Sequence, residues 1–154
     1  MLEIKNPDQL IKFIIPLFKE SVYGYNDFDF MFSDDDSVMF FLSGGCLELV
    51  KVIKHYFPDT KYAIRNDYLH FCAFYDGKLY DAMDYYEDWQ LEKKNYKTKE
   101  KDLSDFTIMK DEEIDKLPVE YGVINYIDGL EVSDFIINEI DQIESVKVSK
   151  KGLK

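Results

Sequence analysis

The sequence predicts an α+β fold in which an antiparallel β-sheet packs against a helix that carries Cys46 at its N-terminus. Three observations support this prediction. Residues 46–57 place apolar side chains at helical spacing, and residues 69–83 alternate around an Asp76-Gly77 turn. The order of the predicted elements is helix, helix, hairpin, mixed segment and helix. Elements segregated in this way are typical of α+β domains with an antiparallel sheet.

The first predicted element is a helix near the N-terminus. Asn6 is a suitable N-cap, Pro7 fits the first helical position, and Pro16 is expected to kink or end the helix. The acidic and aromatic stretch 23–37 predicts a loop, and "VMFFL" at 38–42 predicts a short extended segment. We therefore expect irregular or extended chain before the second helix.

The second helix begins at Cys46 and ends before Pro58. Its apolar positions share one face with Cys46, and they are Leu49, Val50, Ile53 and Phe57. His55 lies nine positions after Cys46, and nine steps of 100° place it on the opposite side of the helix. We therefore expect His55 to be exposed, so it is not a candidate base for Cys46.

Residues 69–83 give the strongest hairpin signal, because Asp76-Gly77 is a preferred two-residue turn between alternating runs. Counting outward from this turn predicts which side chains share one face of the sheet: His70, Cys72, Asp81 and Met83. Asp81 is then the diagonal neighbour of His70, within reach of its imidazole. If the second helix packs on this face, the thiol of Cys46 meets His70.

The remaining elements are less distinct. Residues 84–101 are polar and fit either a helix with a solvated face or a long loop, and residues 102–109 are a possible strand. Ser133 is expected to cap the last amphipathic helix. No linker or repeat is evident, so residues 1–154 are predicted to form one domain with a frayed basic tail from about Lys147.

Charge and composition limit the classes of partner. Nineteen basic and 31 acidic residues give a net charge of −12, which repels nucleic acid and anionic membranes. The charge favours a basic protein or peptide as substrate or partner, or serves only solubility. The sequence has no signal-peptide pattern, no apolar run long enough to span a membrane, and only two cysteines. We therefore expect a cytoplasmic protein with reduced thiols, and its oligomeric state stays open.

Cys46 combines several features of a thiol nucleophile. The positive end of a helix and a nearby imidazolium both lower the pKa of a thiol. Gly44 and Gly45 would let a substrate approach the backbone and could direct amide groups at an oxyanion. His70 is the remaining candidate base, and Asp81 can orient its ring.

The motif "SGGC" at a helix start, followed by "HFCAFYDGKLYDA", resembles the papain-like cysteine protease fold, which transglutaminase-like and arylamine acetyltransferase-like proteins share. The resemblance covers about residues 38–86. It implies Cys46 as nucleophile, His70 as base and Asp81 as orienting acid. The sequence departs from this family because no glutamine precedes the cysteine at the usual place and Leu47 replaces the usual aromatic residue, so the oxyanion donor is unassigned.

We therefore expect a small cysteine-dependent hydrolase or acyltransferase that acts on an amide, isopeptide or thioester bond without a metal or other cofactor. Three alternatives stay open. Cys46 could be a core residue, or a zinc ion could be bound by ligands drawn from Cys46, His70, Cys72 and Asp81. The chain could also be an inactive acidic binding or inhibitor protein that occupies a basic site on a partner. Its many Lys, Asn, Ile, Tyr and Phe residues suggest an AT-rich genome, such as that of a low-GC bacterium, a phage or another mobile element.

Overall fold

The computed structural model describes residues 2–87, 90, 101–117 and 124–148, and it confirms the α+β class. The elements, in chain order, are β1 (Leu2–Ile4), α1 (Pro7–Ser21), α2 (Asp34–Ser43), α3 (Cys46–Tyr56), β2 (Lys61–Arg65), β3 (Phe71–Tyr75), β4 (Lys78–Tyr80), β5 (Phe106–Met109), α4 (Asp111–Ile114), β6 (Tyr126–Ile127), β7 (Leu130–Glu131), α5 (Val132–Asp141) and β8 (Val146–Val148). Short 3₁₀ turns occur at Asn26–Phe28, Ala82–Tyr85 and Leu103–Asp105.

The central sheet is antiparallel and has four strands in the order β4-β3-β2-β5. Strand β2 lies in the middle, since Ala63 pairs with Cys72 of β3 on one side and with Ile108 of β5 on the other. Strands β1 and β8 pair in parallel, and β6 and β7 form a short hairpin. The sheet therefore supplies one face for the helices and one for a smaller apolar cluster.

The β3–β4 hairpin follows the predicted register near its turn. Tyr75 pairs with Lys78, and Asp76 and Gly77 have φ of 50° and 78°. Both φ angles are positive, as the favoured two-residue hairpin turn requires. The pairing ends at Tyr80, so the strand stops before the predicted residue 83. The turn chemistry therefore predicted the register correctly but not the length of the second strand.

Helix α3 spans the predicted residues and packs on the sheet, although not on the predicted face. Its C-cap Phe57 places its ring 5.5 Å from that of Tyr75, and Phe71 and Ala73 join the same core. Cys72 alternates with these residues and is buried in the opposite cluster with Ala63 and Leu79. The expectation that α3 packs on the face of Cys72 is therefore wrong, because the larger apolar face of β3 is the other one.

The first helix, α1, contains Pro16 in its interior. It begins as predicted, with the side chain of Asn6 accepting a hydrogen bond from the N–H of Gln9 and with Pro7 in the first turn. It continues through Pro16 to Ser21, so Pro16 does not end the helix. Proline removes one hydrogen bond of the helix ladder. Burial offsets that loss along one face, which carries Leu10, Ile11, Ile14, Ile15 and Phe18.

Helix α2 replaces the loop and extended segment expected before the glycine pair. Ser33 and Asp36 form a reciprocal capping box, and two further aspartates, Asp34 and Asp35, lie in the first turn. Carboxylates at this end interact favourably with the helix dipole. The side chains of Val38 and Phe41, on α2, are buried in the core. The acidic run is therefore a helix start, and the prediction missed its capping signal.

The C-terminal part also differs in detail. Helix α5 is capped by Glu131, so the assignment of Ser133 as N-cap is wrong. Lys147 lies in β8 and pairs with Glu3, which corrects the expected start of the frayed tail; residues 149–154 lie outside the described residues. Most of the ambiguous stretch 84–101 also lies outside them. Within the described part of the chain, no helix is both long and apolar enough to cross a membrane.

Candidate active site

Cys46 is the first residue of α3. It follows Gly44 and Gly45, which connect α2 to α3 and are called the glycine joint below. The N–H groups of Gly44 and Gly45 both donate to the carbonyl of Phe40, at 3.1 and 2.8 Å. The Phe40 ring lies against Gly45, where an added Cβ would stand only 2.4 Å from the nearest ring atom. Gly45 is therefore needed for close packing. In this conformation neither glycine offers a free amide to an oxyanion, contrary to the expectation for this pair.

The thiol of Cys46 is partly buried and its pKa is lowered. Burial alone would raise the pKa of this thiol. Four influences outweigh burial: a hydrogen bond and a charge interaction with His70, and hydrogen bonds from the N–H groups of Phe71 and Leu47. The surroundings of Cys46 therefore favour the thiolate.

His70 lies immediately before β3 and is nearly buried. Its carbonyl accepts a hydrogen bond from the N–H of Arg65 at 2.8 Å, which holds the residue at the end of the sheet. Burial would lower the pKa of the imidazole, but hydrogen bonds with Asp81 and then with Cys46 raise it. This position explains how Cys46 meets His70 although α3 packs on the opposite face of β3: the contact forms at the end of the strand.

Asp81 completes this arrangement from an unexpected local structure. It caps the 3₁₀ turn Ala82–Tyr85 instead of continuing β4, and one carboxylate oxygen, Oδ1, accepts from the N–H of Met83 at 2.9 Å. The other oxygen, Oδ2, lies 2.9 Å from Nε2 of His70. Burial would raise the pKa of Asp81, but the interaction with His70 and the charge of Lys101 keep it lowered. The predicted contact between His70 and Asp81 is therefore present, although Asp81 caps a 3₁₀ turn and does not lie in β4.

Lys101 is the part of the site that sequence reasoning missed. Its side chain is only 10% exposed, and its Nζ lies 3.5 Å from Oδ1 of Asp81 and 2.9 Å from Oδ2 of Asp84. The N–H of Asp81 donates to the same oxygen of Asp84 at 2.9 Å. The Asp-x-x-Asp capping box formed by Asp81 and Asp84 is visible in the sequence, whereas Lys101 lies twenty positions away without a distinguishing motif.

Cys72 also lies beside this cluster. Its Sγ is 3.7 Å from Oδ2 of Asp81, and burial raises the pKa of its thiol to about 11. Ligand atoms of His70, Cys72 and Asp81 lie within 4.8 Å of one another, a spacing that could hold a metal ion. The same atoms are engaged by mutual hydrogen bonds, and the cation of Lys101 stands next to the carboxylate. The donor set is therefore better explained as a hydrogen-bonded network.

A buried carboxylate behind the nucleophile was also missed. Glu48 lies in the first turn of α3 and accepts hydrogen bonds from the N–H groups of Asn125 and Ser133, at 3.1 and 3.2 Å. Burial raises the pKa of Glu48, while these hydrogen bonds oppose the rise. Asn125 also donates through Nδ2 to the carbonyl of Gly44 at 2.9 Å. Glu48 and Asn125 thus connect the first turn of α3 and the carbonyl of Gly44 to the start of α5.

His55, the other histidine, is exposed on the far side of α3, as the helical rotation predicts. Its pairing with Cys46 is thereby excluded in this structure. The two histidines therefore have separate environments, and His70 is the one whose interaction lowers the pKa of the Cys46 thiol.

Comparison with known proteins identifies one family. Residues 26–118 match the family described as Phage YunG-like protein, and this range includes Cys46, His70, Asp81 and Lys101. No curated protein and no solved structure matches significantly. A phage family agrees with the mobile-element origin suggested by composition. Because the matched range covers more than half of the 154 residues, the chain belongs to the Phage YunG-like protein family.

Proposed function

We propose that this protein is a cysteine-dependent hydrolase or acyltransferase that acts on an amide, isopeptide or thioester bond. One observation carries the proposal. The thiol of Cys46 has a lowered pKa and interacts with His70, whose Nε2 is held 2.9 Å from Asp81. A thiolate beside an imidazolium that is fixed by a carboxylate is the arrangement required for nucleophilic attack on an acyl carbon.

The reaction follows from the three side chains. The sulfur of Cys46 forms a bond to the carbonyl carbon, and the bond from that carbon to the leaving nitrogen or sulfur breaks. The leaving group takes its proton from His70. Water, or an acceptor amine or thiol, then gives a proton to His70, attacks the acyl carbon and displaces Cys46 as a thiolate, which restores the starting thiolate–imidazolium pair. Asp81 holds the ring throughout, so that Nδ1 is left to exchange protons with Cys46 and the substrate.

The oxyanion requires donors other than the glycine pair. The first N–H groups of a helix have no acceptor within the helix, and the N-cap Gly45 supplies no side chain to satisfy them. Because the N–H of Leu47 donates to the thiol of Cys46, the N–H groups of Cys46 and Glu48 are the first-turn amides left for an oxyanion formed next to the thiol. We propose these amides as the donors, in place of Gly44 and Gly45.

The likeness to a papain-like core is part of the same proposal. Three features support this likeness: Cys46 at the start of a helix, His70 before a strand, and the carboxylate of Asp81 beyond the following turn. The likeness is local, since Asp81 is here a capping residue and Lys101 adds a buried cation behind it. The substrate class therefore rests on the chemistry of the site.

Acyl transfer to Cys46 is tested with p-nitrophenyl acetate, an activated ester that acylates reactive thiols. Wild-type protein and Cys72→Ala should release p-nitrophenol at the same rate within about threefold, and intact mass spectrometry should locate the acetyl group on Cys46. Cys46→Ala should release none above buffer. If Cys46 reacts no faster than N-acetylcysteine at the same pH, the site does not activate its thiol and the enzyme proposal fails.

A second candidate is a non-catalytic acidic binding protein, favoured by the net charge of −12 and by nearly fully exposed aromatic side chains such as Tyr23 and Phe32. Such a protein would retain the thiol site as a scaffold. The two candidates make different predictions: a binding protein should keep its partner affinity in Cys46→Ala, and its thiol should be alkylated at a rate independent of His70.

A further inference from the structure

A cavity of about 630 Å³ opens between the C-terminal end of α1 and the loop that follows it. We call it the α1 groove. The side chains that line it are Phe28 and Met31, which are buried, Lys19, which is half-buried, and Tyr23, Phe32, Glu20 and Asp29, which are exposed. The volume falls within the range of about 300–1,000 Å³ that is usual for ligand sites. The groove therefore combines an apolar floor with an aromatic and acidic rim.

The aromatic rim is unusually exposed. Tyr23 is 87% exposed and Phe32 is 83% exposed, although each stands next to a concave apolar surface. Large exposed apolar groups gathered around a cavity are typical of interaction sites, where aromatic residues are enriched. Single exposed aromatic residues would be unremarkable, so the inference rests on their position around the cavity.

The backbone beneath the rim is held in place. Gly24 has a φ of 90°, which turns the chain directly after Tyr23. The N–H of Phe32 donates to Oδ2 of Asp36 at 2.8 Å, as part of the capping of α2. The turn at Gly24 and the hydrogen bond of Phe32 thus direct the rings of Tyr23 and Phe32 to solvent. Less conformational entropy of this loop is then lost when a partner binds.

The charge around the groove identifies the kind of partner. Residues 19–36 contain one lysine and six acidic residues, a net charge of −5, and of these charged residues Lys19, Glu20 and Asp29 line the groove. The lysine, Lys19, pairs with Asp34 at 3.2 Å and with Glu20 at 3.6 Å, so its charge is compensated locally. A second copy of the groove would bring like charges together. A cationic surface is the electrostatic complement.

We propose that the α1 groove binds a cationic segment of a partner protein. An apolar side chain of that segment packs on Phe28 and Met31, and flanking Lys or Arg side chains contact the carboxylates of Glu20 and Asp29. Arg or Lys can also lie over the rings at the rim. This binding does not depend on the chemistry of Cys46 and stands whether or not the thiol reacts.

The test selects dodecapeptides from a fully randomised display library on immobilised full-length Cys46→Ala protein. Enriched peptides should combine at least two Lys or Arg residues with a Leu, Met or aromatic residue. Synthetic copies, measured by fluorescence anisotropy, should bind Tyr23→Ala and Phe32→Ala at least about tenfold more weakly. The matched control Tyr126→Ala, which removes an exposed aromatic side chain elsewhere, should change the affinity by less than about twofold. Binding should also weaken with added salt.

Several results would overturn this proposal. They are a selection that enriches no peptide, peptides without basic residues, affinities equal in the groove variants and the control, and an oligomer that Tyr23→Ala or Phe32→Ala dissociates. The last result would make the groove a contact between copies. Because the binding assay uses Cys46→Ala and the acyl-transfer assay uses the intact thiol, failure of one proposal does not decide the other.

Discussion

Cys46 and Cys72 share His70 as a neighbour but have opposite acid–base properties. The pKa of Cys46 is lowered, and that of Cys72 is raised to about 11. Cys46 stands at a helix start and receives hydrogen bonds from backbone N–H groups of Phe71 and Leu47. Cys72 lies inside β3, fully buried, with its Sγ beside the carboxylate of Asp81. Contact with an imidazole is therefore not sufficient to activate a thiol.

The difference lies in what else surrounds each sulfur. Burial opposes ionisation at both sites, but only Cys46 has backbone donors that stabilise a thiolate. The charge of Asp81 acts against a second anion at Cys72. The same carboxylate supports the thiolate of Cys46 indirectly, because it favours the imidazolium of His70. One network thus activates the thiol on one side and suppresses the thiol on the other.

The largest expected effect is the difference in alkylation rate between the two cysteines. The pKa of Cys46 lies below the ordinary 9.0 and that of Cys72 is about 11, so their thiolate fractions at pH 7 differ by more than 100-fold. Burial of Cys72 slows it further. We expect iodoacetamide to modify Cys46 at least about 1,000 times faster than Cys72, as measured by peptide mass spectrometry. Comparable alkylation rates of Cys46 and Cys72 in the folded protein would show that the two thiols do not differ in acidity as inferred.

Removing Lys101 should have the next largest effect, on stability. Lys101→Met leaves Asp81 and Asp84 without their shared cation, and breaking a buried ion pair in this way costs about 3 kcal/mol of unfolding free energy. The folded-state pKa of Asp81 is lowered, so its contribution is present above its unfolded pKa and is lost as pH falls through the folded value. Urea unfolding at pH 7 and at pH 3, which lies below the ordinary pKa of 3.8, should show the loss shrinking in acid.

Lys12→Met is the matched control for that experiment. Lys12 pairs with Asp8 and Glu87 at the surface, where such pairs contribute about 0.2–1 kcal/mol. Equal losses of stability in Lys12→Met and Lys101→Met would show that the buried cation has no special role in the site.

The glycine joint provides the third test. Gly45→Ala places a methyl group against the ring of Phe40 and should cost about 1–3 kcal/mol of unfolding free energy. Gly44→Ala meets no atom within 4 Å, so it creates no comparable clash and should cost less unfolding free energy than Gly45→Ala. Thermal or urea unfolding measures both. A similar cost for both variants would argue against the packing role of Gly45.

The fourth test separates the two histidines. His70→Ala removes the imidazolium that lowers the pKa of Cys46, so the pH profile of alkylation should move to higher pH and the rate at pH 7 should fall. His55→Ala, on the exposed face of α3, should leave the profile unchanged. Identical profiles for wild type and His70→Ala would uncouple His70 from Cys46 and favour the non-catalytic binding protein.

Glu48→Gln should have the smallest effect. The folded-state pKa of Glu48 is raised, so wild-type stability falls as pH rises from its unfolded pKa to its folded one, and glutamine removes this dependence. Loss of a negative charge near Cys46 should also increase the alkylation rate at pH 7 by about twofold. Unfolding curves from pH 4 to pH 8 measure the first effect. An unchanged slope would show that Glu48 does not titrate in this range.

Much of the site could be predicted because its signals are local. The helical spacing after Cys46 and the Asp76-Gly77 turn are short-range patterns, and together they predicted the exposure of His55 and the contact of His70 with Asp81. Two of the wrong predictions came from an overlooked local signal. The capping boxes at Ser33 and Asp81 begin helical turns where extended chain was expected.

Other features have no local signal. Lys101 becomes a buried cation only because the chain returns to Asp81 and Asp84, and Glu48 becomes a buried carboxylate only because Asn125 and Ser133 approach it. Nothing in the residues adjacent to either side chain distinguishes it from a solvated charge. Their roles are set by contacts between distant parts of the chain.

The sequence by itself determined the α+β class, the start of α3 at Cys46 and the register of the β3–β4 turn, because helix periodicity and turn conformation depend on neighbouring residues. Only the tertiary structure decided which face of the sheet receives α3 and which N–H groups donate to the carboxylate of Glu48. These outcomes depend on competition among apolar surfaces and hydrogen-bond acceptors across the whole domain. Such competition is resolved by packing, which has no fixed spacing along the chain.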